Sequence, residues 1–467
     1  MKTNPIYIRS LFISNVKSFG QGVEIKFEKK DGTLPQWTLI LGDNGIGKTT
    51  LLQCIAWMKP LLPYDVDEIP KGWKPTPLID NEENEVLEKI VRTTKGQTRN
   101  AQISASFIAQ SELRKVIDKK NKNYCQTFME IGLDAKGKLE LVNPEFKTSN
   151  KDIFYSDEVL IFAYSASRKL GKLNLANPGL LDPLPDFIKE DTELYDAEEI
   201  LHALNYVKLG SNNEVEKKKY SDFIEEVRKM LVDVLPDFED TDNIIILPPK
   251  VLSKDPDGGI MIKTKHGEKL PFSNLSLGYK TVTSWTIDLA WRLFNKYQSK
   301  SSNPLKEPAI VLIDEIDLHL HPIWQREIMD NLSRNFPNVQ FIATAHSPLM
   351  VQAAIESNFS VLKHEKDGVF VVSEPAGIDG WRIDQILTSE LFGLESARGL
   401  RYEQLMEERR LLIGKVKLTK KDQSELQKIE NELSNLPSGE TPEDISNREI
   451  IARTVSKIRN GDIKIKL

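Results

Sequence analysis

The fold of this chain is decided by the stretch Leu39-Ile40-Leu41-Gly42-Asp43-Asn44-Gly45-Ile46-Gly47-Lys48-Thr49-Thr50. Gly42 to Thr49 fits the pattern G-x-x-x-x-G-K-[ST], which is typical of a phosphate-binding loop. The apolar residues before the loop predict a buried strand, and those after it fall at helical spacing. Glycines let backbone N–H groups surround a phosphate, and the helix that begins at Lys48 directs its positive end toward the same anion. The pattern therefore predicts a phosphate site, with a glycine turn that binds no ligand as the alternative.

Individual residues of this loop have predicted roles in binding a nucleoside triphosphate. Lys48 is expected to reach the β- and γ-phosphates, and the Thr49 hydroxyl is expected to bind Mg²⁺. ATP and Mg²⁺ are therefore the expected ligands. The candidate binding residues of the loop are Asn44, Gly45, Ile46, Gly47, Lys48, Thr49 and Thr50.

The composition is that of an ordinary soluble chain, with 467 residues of which 40% are hydrophobic and 28% charged. The net charge of −6 argues against a wholly basic nucleic-acid coat, but a local basic patch could still contact nucleic acid. Cys54 and Cys125 have no metal-ligand spacing, and Cys54 is expected to pack in the core. No apolar run approaches the length of a membrane span and residues 1–5 lack a secretory signal, so a cytoplasmic location without membrane contact is expected.

Hydrophobic periodicity predicts that strands and helices share the chain. Prolines predict an irregular excursion over 59–80 and a linker over 178–185, whereas 81–92 has a helical pattern. The charged segment 190–235 has apolar residues at helical spacing and is predicted to be a helical lobe. Predicted strands lie within 6–29, 101–109, 128–133, 159–164, 244–247 and 260–262.

The first of three further motifs is Leu275-Ser276-Leu277-Gly278-Tyr279, which opens a predicted helix. A serine and a backbone turn at a helix N-terminus form a second anion site. Ser276 and Gly278 are therefore candidate nucleotide contacts. The alternative is a serine that simply caps a structural helix.

Two apolar strands that end in polar residues form the other motifs. Ala309–Glu315 delivers two acids to a sheet edge, where Asp314 would hold Mg²⁺ and Glu315 would act as general base toward the attacking water. Val339–Ser347 ends at His346, which can donate to a γ-phosphate. Acidic pairs at strand ends and histidines in protein cores are common, so each motif gains its meaning from the phosphate loop that precedes it.

The order of these motifs resembles that of the ABC-type ATPase heads. Asn15-Val16-Lys17-Ser18-Phe19 is similar to the opening of SMC, RecF and OLD-family ATPases, and this implies nucleotide contacts from Asn15, Lys17 and Ser18. Asp314-Glu315-Ile316-Asp317-Leu318-His319-Leu320-His321-Pro322 resembles the OLD-like branch in particular. A metal site at the two histidines is the less favoured interpretation, because no third ligand is near.

Two other stretches look like the PtuA-type anti-phage ATPases of Septu systems and related retrons, namely Phe162-Ala163-Tyr164-Ser165-Ala166-Ser167-Arg168 and Trp381–Ser396. The resemblance implies an ATP-hydrolysing regulatory subunit with Lys48, Glu315 and His346 in catalysis, a separately encoded HNH endonuclease as partner, and heads that pair around ATP. Such heads usually have a glutamine in a loop beside the metal, and its place in this chain is not evident. Gln110 is one candidate, but Ser167-Arg168, after the strand that ends at Tyr164, fits the position better. The alternatives are a RecF- or SMC-type DNA-repair ATPase that acts directly on DNA, and a scaffold that binds ATP but barely hydrolyses it.

These resemblances imply an α/β fold, an ABC-type P-loop ATPase head whose mixed β-sheet carries a helical lobe insertion and a C-terminal helical extension. The predicted parts are ATPase lobe I at 1–180, the helical lobe with linking strands at 181–270, ATPase lobe II at 271–375, and an extension for oligomer or partner contacts at 376–467.

The segment after His346 is expected to contain no nuclease. Many OLD-like proteins carry a C-terminal Toprim nuclease domain, but this segment has no Asp-x-Asp pair to hold its metals. The pair Asp240-x-Asp242 precedes the Ser276 motif and is expected to be a solvated loop. Residues 400–436 instead predict two helices, which form either a plain coiled hairpin or a surface for a partner or a second copy.

Overall fold

The architecture comes from a computed structural model of the chain. It describes residues 5–60, 87, 90–94, 97–98, 100–118, 123–149, 159–173, 175, 184–188, 190, 192–235, 240–248, 259–263, 267–354, 356–365, 368–373, 378, 380–394, 396–415 and 419–435. The excursion predicted over 59–80 and the helix predicted over 81–92 lie almost entirely outside these residues. The chain forms two compact units, Met1–Gly393 and Leu394–Leu467.

The first unit contains both strands and helices, and the regular elements described in the second unit are helices. The strands are β1 Ile6–Ser14, β2 Val23–Lys26, β3 Trp37–Leu41, β4 Thr93–Thr94, β5 Gln97–Thr98, β6 Ala101–Ala109, β7 Tyr124–Leu133, β8 Leu139–Thr148, β9 Ile161–Tyr164, β10 Lys169–Leu173, β11 Glu193–Tyr195, β12 Ile244–Ile246, β13 Ile260–Lys263, β14 Lys269–Pro271, β15 Ala309–Ile313, β16 Val339–Thr344, β17 Asn358–Glu365 and β18 Gly368–Ser373. The helices are α1 Lys48–Trp57, α2 Leu184–Ile188, α3 Ala197–Gly210, α4 Glu214–Val234, α5 Leu277–Tyr297, α6 Pro322–Asn335, α7 Pro348–Ala353, α8 Ile383–Leu387, α9 Leu400–Ile413 and α10 Lys420–Asn435.

A six-stranded sheet carries the phosphate-binding loop, in the strand order β18-β17-β3-β16-β15-β9. Its strands are parallel except for β18, which runs antiparallel to β17 at one edge. The register pairs Ile313 of β15 with Tyr164 of β9 and with Ala343 of β16. Parallel strands end at a common edge, where α/β folds bind their ligands. The loop after β3, the acids after β15 and His346 after β16 therefore meet at one edge.

Each face of this sheet has its own apolar core. Leu39, Val311 and Phe341 belong to the core that contains α3, α4, α5 and α6. Alternate residues such as Ile40 and Leu312 belong to the core that contains α1 and the strands β1, β6 and β7. Because both faces are covered, every residue of β3, β15 and β16 is buried, and these strands are mostly apolar instead of alternating.

An antiparallel sheet in the order β2-β1-β6-β7-β8 contributes to the core that contains α1. The strands predicted within 6–29 and at 101–109 are found as β1, β2 and β6, and the one predicted at 128–133 is the end of the longer β7. Cys54 of α1 and Cys125 of β7 are both buried in this core, as expected for Cys54.

The helical lobe predicted at 190–235 is found as α3 and α4, but the prediction was wrong for Glu193–Tyr195, which form the strand β11 beside β10. Each helix begins at a side-chain cap: Asp196 accepts a hydrogen bond from the N–H of Glu199, and Asn213 accepts one from the N–H of Val215. Both helices pack on α5 through apolar residues. The strands predicted at 244–247 and 260–262 are β12 and β13, which form a small antiparallel sheet with β14. The boundaries of the four predicted parts stay predictions.

The second unit contains the two helices predicted within 400–436, α9 and α10. Leu405 and Leu412 of α9 are buried with Ile429 of α10. Arg401 Nη2 lies 2.8 Å from a carboxylate oxygen of Glu432 and links the two helices at the surface.

No helix in the described ranges combines the length and the apolar character needed to cross a membrane.

Candidate nucleotide-binding site

The phosphate-binding loop depends on glycine for its shape. Gly42 and Gly47 have φ angles of 144° and 116°, which residues other than glycine rarely adopt. A Cβ at Gly47 would collide with Oγ of Ser18, and one at Gly42 would lie 2.8 Å from the carbonyl oxygen of Leu362. Glycine at these positions therefore permits a tightly packed loop whose backbone N–H groups can surround a phosphate group. Of the other loop residues, Asn44 and Gly45 are exposed, Thr49 is half-buried, and Ile46 and Thr50 are buried.

Lys48 lies across this loop, where its Nζ donates to the carbonyl oxygens of Gly42 and Asp43, both at 2.9 Å. Burial lowers the pKa of Lys48, and the carboxylates of Asp314 and Glu315 oppose that change. The ammonium group is thus bonded to neutral carbonyl oxygens while it lies close to the acids. It can exchange these carbonyls for phosphate oxygens without breaking an ion pair.

A chain of short hydrogen bonds joins the loop to the two strands that carry the acids. Thr49 Oγ1 donates to Asp314 Oδ2 at 2.7 Å, and Thr344 Oγ1 donates to Asp314 Oδ1 at 2.7 Å. The N–H of Glu315 donates to Thr344 Oγ1 at 2.7 Å. Both carboxylate oxygens of Asp314 are therefore oriented. The Thr49 hydroxyl and the Asp314 carboxylate are oxygen ligands of the kind that Mg²⁺ prefers, so these residues fit the expected ion.

The two remaining catalytic candidates, Glu315 and His346, lie beside this series of hydrogen bonds. Glu315 is half-buried and has a φ of 50°, a left-handed conformation that is uncommon for a side-chain-bearing residue. Such strain persists only where surrounding bonds impose it, and here the Thr344 bond does so. The N–H of His346 donates to Asp317 Oδ2 at 2.8 Å. No described residue forms a hydrogen bond with its half-buried imidazole, which is therefore available to a ligand.

Asn15, Lys17 and Ser18 border the loop and bond to protein groups. Asn15 Nδ2 donates to a backbone carbonyl just before β6 at 3.0 Å. Lys17 Nζ donates to Gln53 Oε1 at 3.2 Å, and Ser18 Oγ donates to the Ile46 carbonyl at 2.8 Å. These bonds hold the surroundings of the loop, and a nucleotide contact by any of the three residues stays a prediction.

Ser276 and Gly278 line a separate groove of about 1010 Å³. Ser276 is exposed at the N-terminus of α5, and its side chain makes no capping hydrogen bond. A plain serine cap therefore does not describe this residue. Gly278 packs so tightly on the backbone that a Cβ would overlap the carbonyl oxygen of His319. The groove is also lined by Tyr279 and Trp324.

The two histidines after the acids have structural positions. His321 Nδ1 accepts a hydrogen bond from the N–H of Ile323 at 3.4 Å, at the start of α6. His319 has a φ of 65° and presents its carbonyl to Gly278. Within the described residues, no three side chains of His, Cys, Asp or Glu are grouped as metal ligands.

The two candidate positions for the expected glutamine differ in location. Gln110 lies beside Pro5, before the start of β1, whereas the loop residues lie beyond the other end of that strand. Arg168, in contrast, donates from Nη2 to the carbonyl oxygen of Asp314 at 2.6 Å and to that of Glu315 at 3.4 Å. The structure therefore places Arg168, and not Gln110, next to the acids.

Two contributors to the site, Thr344 and Asp317, were not assigned roles from the sequence. Thr344 resembles any β-branched residue of a buried strand, and only its hydrogen bond in the structure shows that its hydroxyl faces Asp314. Asp317 lies two residues beyond the acidic pair, and its bond to His346 joins segments that are distant in sequence. The only sequence signal was that both residues fall within motifs already recognised.

Comparisons with known proteins show what the chain is similar to. A family model described as "AAA domain, putative AbiEii toxin, Type IV TA system" matches residues 38–351. The matched range contains the phosphate-binding loop, the Ser276 motif, both acids and His346.

Individual relatives are similar to parts of the chain or to most of it. Septu protein PtuA of Bacillus mycoides (strain KBAB4) is 24% identical over 437 residues, covering 92% of this chain and 50% of that protein. Retron Ec83 probable ATPase of Escherichia coli is 34% identical over 166 residues, covering 36% of this chain and 30% of that protein. The chain spans half or less of the length of these relatives. A solved SMC head bound to the C-winged helix domain of ScpA has a TM-score of 0.44 and 17% identity, covering 79% of this chain and 98% of that one.

Proposed function

Because the chain belongs to the AAA-domain family described as putative AbiEii toxins of type IV toxin–antitoxin systems, we propose that it binds ATP with Mg²⁺ and hydrolyses the ATP to ADP and phosphate. The observation that carries this proposal is the hydrogen-bonded chain from Thr49 through Asp314 and Thr344 to Glu315. It connects a phosphate-binding loop to an acid that can accept a proton, within one site.

Each residue of the site has a defined task in this reaction. Lys48 moves from its carbonyl partners to the β- and γ-phosphates, and Thr49 and Asp314 are the residues that would hold Mg²⁺. The ion supplies charge neutralisation at the phosphates. Glu315 takes a proton from the water that attacks the γ-phosphorus, and ADP leaves as the bond to its β-phosphate oxygen breaks. His346 donates a hydrogen bond to the γ-phosphate.

Two substitutions test the ATPase proposal. Lys48→Ala should weaken ATP–Mg²⁺ binding by about 1.5–3 kcal/mol, the worth of a hydrogen bond to a charged group. Glu315→Gln should bind ATP but hydrolyse it very slowly, because an amide cannot accept the proton. Calorimetry and phosphate release measure the two effects. Lys147→Ala and Glu145→Gln remove an exposed ion pair on β8 and serve as matched controls. ATP affinity unchanged in Lys48→Ala, or parent turnover in Glu315→Gln, would contradict the assignments.

We further propose that this ATPase is the regulatory subunit of an anti-phage defence complex and controls a separately encoded HNH endonuclease. The support is the similarity to proteins named Septu PtuA and retron ATPase, across 92% of this chain for the first. Co-expression with an HNH endonuclease encoded beside this gene should yield a complex whose DNA cleavage depends on the nucleotide. A chain that binds DNA tightly without any such partner would favour the alternative, a RecF- or SMC-type repair ATPase.

Pairing of two heads around ATP is part of the same proposal. Ser276 is exposed, has no capping bond and lies at the positive end of the 21-residue helix α5. Such a terminus can bind an anion presented by another molecule, here the γ-phosphate held by the loop of a second copy. The contact would be reciprocal, so the pair would be two-fold symmetric with two ATP molecules enclosed.

A further inference from the structure

Arg168 lies at the acidic end of the ATP site although it comes from a different strand. It follows β9, which pairs in parallel with β15 so that Tyr164 lies opposite Ile313. The N–H of Asp314 donates to the carbonyl of Tyr164 at 2.8 Å. The chain therefore leaves β9 beside the acids, and four residues later its guanidinium group reaches their backbone.

The hydrogen bonds of Arg168 leave part of the guanidinium group unsatisfied. Nη2 donates to the carbonyl oxygens of Asp314 and Glu315, but Nε is buried and has no hydrogen-bond partner among the described residues. A buried donor without an acceptor is costly, and a charged one more so. If Arg168 only supported the backbone of the acids, its Nε would be left with an unsatisfied hydrogen bond. One further acceptor is needed to complete the bonding of the guanidinium group.

Arg168 shares three carboxylate neighbours with Lys48. The carboxylates of Asp314, Glu315 and Asp317 attract both cations. Burial lowers the pKa of Arg168 to about 10, so the group remains protonated at neutral pH. Three carboxylates oppose the approach of a triphosphate, and a single lysine offsets only part of that repulsion. A second cation in the same cluster offsets more of it.

The base of the Arg168 loop is fixed by a buried polar network. Tyr164 Oη donates to Asp288 Oδ2 at 2.9 Å, and Arg292 Nε donates to the same oxygen at 2.6 Å. The N–H of Tyr195 donates to Asp288 Oδ1 at 3.0 Å. Asp288 and Arg292 belong to α5, the helix that begins after Ser276. Arg168 is thus held on a rigid base, which favours precise placement of its side chain.

We infer that Arg168 is a substrate-binding residue that distinguishes ATP from ADP by donating from its guanidinium group to the γ-phosphate. This inference rests on the proposed ATPase function and adds a residue to it. In this structure, Nη2 donates to the backbone of the two acids, and Nε has no acceptor among the described residues. The γ-phosphate supplies the missing acceptor, so binding of ATP completes the bonding of Arg168 next to the general base. ADP lacks this group and gains nothing from Arg168.

The test compares affinity for ADP and for a non-hydrolysable ATP analogue with an imido bridge between the β- and γ-phosphates. Both are measured by calorimetry with Mg²⁺. In Arg168→Gln, affinity for the analogue should fall about 10- to 100-fold, the worth of a hydrogen bond to a charged group. Affinity for ADP should stay at the parent value. Arg168→Lys keeps the charge but loses the paired donors of the guanidinium group. Its affinity for the analogue should therefore lie between those of the parent and Arg168→Gln. Arg9→Gln, which removes an arginine paired with Glu28 at the surface, is the matched control.

The possible outcomes separate this inference from the proposal on which it rests. Parent affinity for both ligands in both Arg168 variants would overturn the inference while leaving the ATP site intact. Equal losses for ADP and the analogue would also overturn it, because they would show that Arg168 only supports the backbone of the acids. A parent protein that binds neither nucleotide would refute the ATPase proposal itself. Because Arg168→Lys retains the cation, it provides the comparison even if the neutral variant is unstable.

Discussion

Thr344→Val removes one hydroxyl from the centre of the candidate site and leaves the side-chain shape almost unchanged. That hydroxyl donates to Asp314 Oδ1 and accepts the N–H of Glu315, both at 2.7 Å, and Thr344 is fully buried. The substitution loses one bond to a charged group and one to a neutral group. Together these are worth about 2–4 kcal/mol in the free energy of unfolding.

The matched control is Thr38→Val on the neighbouring strand of the same sheet. Thr38 is also buried, but its Oγ1 has no hydrogen-bond partner among the described residues. Replacing an unsatisfied hydroxyl with a methyl group should be neutral or stabilising by about 1 kcal/mol. The two substitutions make the same chemical change in the same sheet, so the difference between them isolates the hydrogen bonds of Thr344.

Urea denaturation and ATP turnover measure this prediction. Thr344→Val should unfold at a lower urea concentration than the parent, whereas Thr38→Val should not. The kcat of Thr344→Val should also fall about 10- to 100-fold, because Glu315 loses the bond that fixes its backbone. This is the scale of loss for a slightly misplaced catalytic group. A Thr344→Val protein that matched Thr38→Val in stability and the parent in kcat would refute this account of the site.

The remaining predictions concern assembly and the nuclease. With ATP bound, the slowly hydrolysing Glu315→Gln protein should be at least a dimer by light scattering, and adding Ser276→Arg should return it to a monomer through bulk and charge. A monomer in the first measurement would count against head pairing. The purified chain should cut no plasmid DNA with Mg²⁺ or Mn²⁺ and ATP, and cleavage that survives Glu315→Gln would reveal a nuclease site in this chain. Deleting the residues after Leu400 should leave ATP hydrolysis largely intact while abolishing co-purification with the nuclease, and retained co-purification would place the partner surface elsewhere.

The α/β fold was predictable from the sequence because its central strands have unambiguous signals. β15 is a continuous apolar run and β3 and β16 are mostly apolar, and each is followed by the residues expected to act on the nucleotide. The family match and the strand order confirm an α/β ATPase head, and the resemblance to PtuA-type proteins is likewise confirmed. Which residue plays which role in catalysis, and whether heads pair, stay predictions.

Other features could not be predicted because they depend on contacts between distant segments. Asp288 and Arg292 are four residues apart on α5, a spacing that normally indicates an exposed ion pair on a helix surface. Both are buried instead, since Tyr164 and the N–H of Tyr195 complete the hydrogen bonds of Asp288. Likewise, the position of Arg168 depends on the pairing of β9 with β15, strands separated by much of the chain.

The burial of Cys54 has a practical consequence for studying motion at the ATP site. Cys54 lies on α1, the helix that begins at Lys48, and burial raises the pKa of its thiol to about 12. A thiol in this state reacts with alkylating reagents only when the surrounding structure opens. Cys125 is buried in the same core and its pKa is raised as well. The rate at which Cys54 is alkylated therefore reports how often the structure around the nucleotide-binding helix opens locally. Surface cysteines can also be introduced for fluorescent labels without removing either natural thiol.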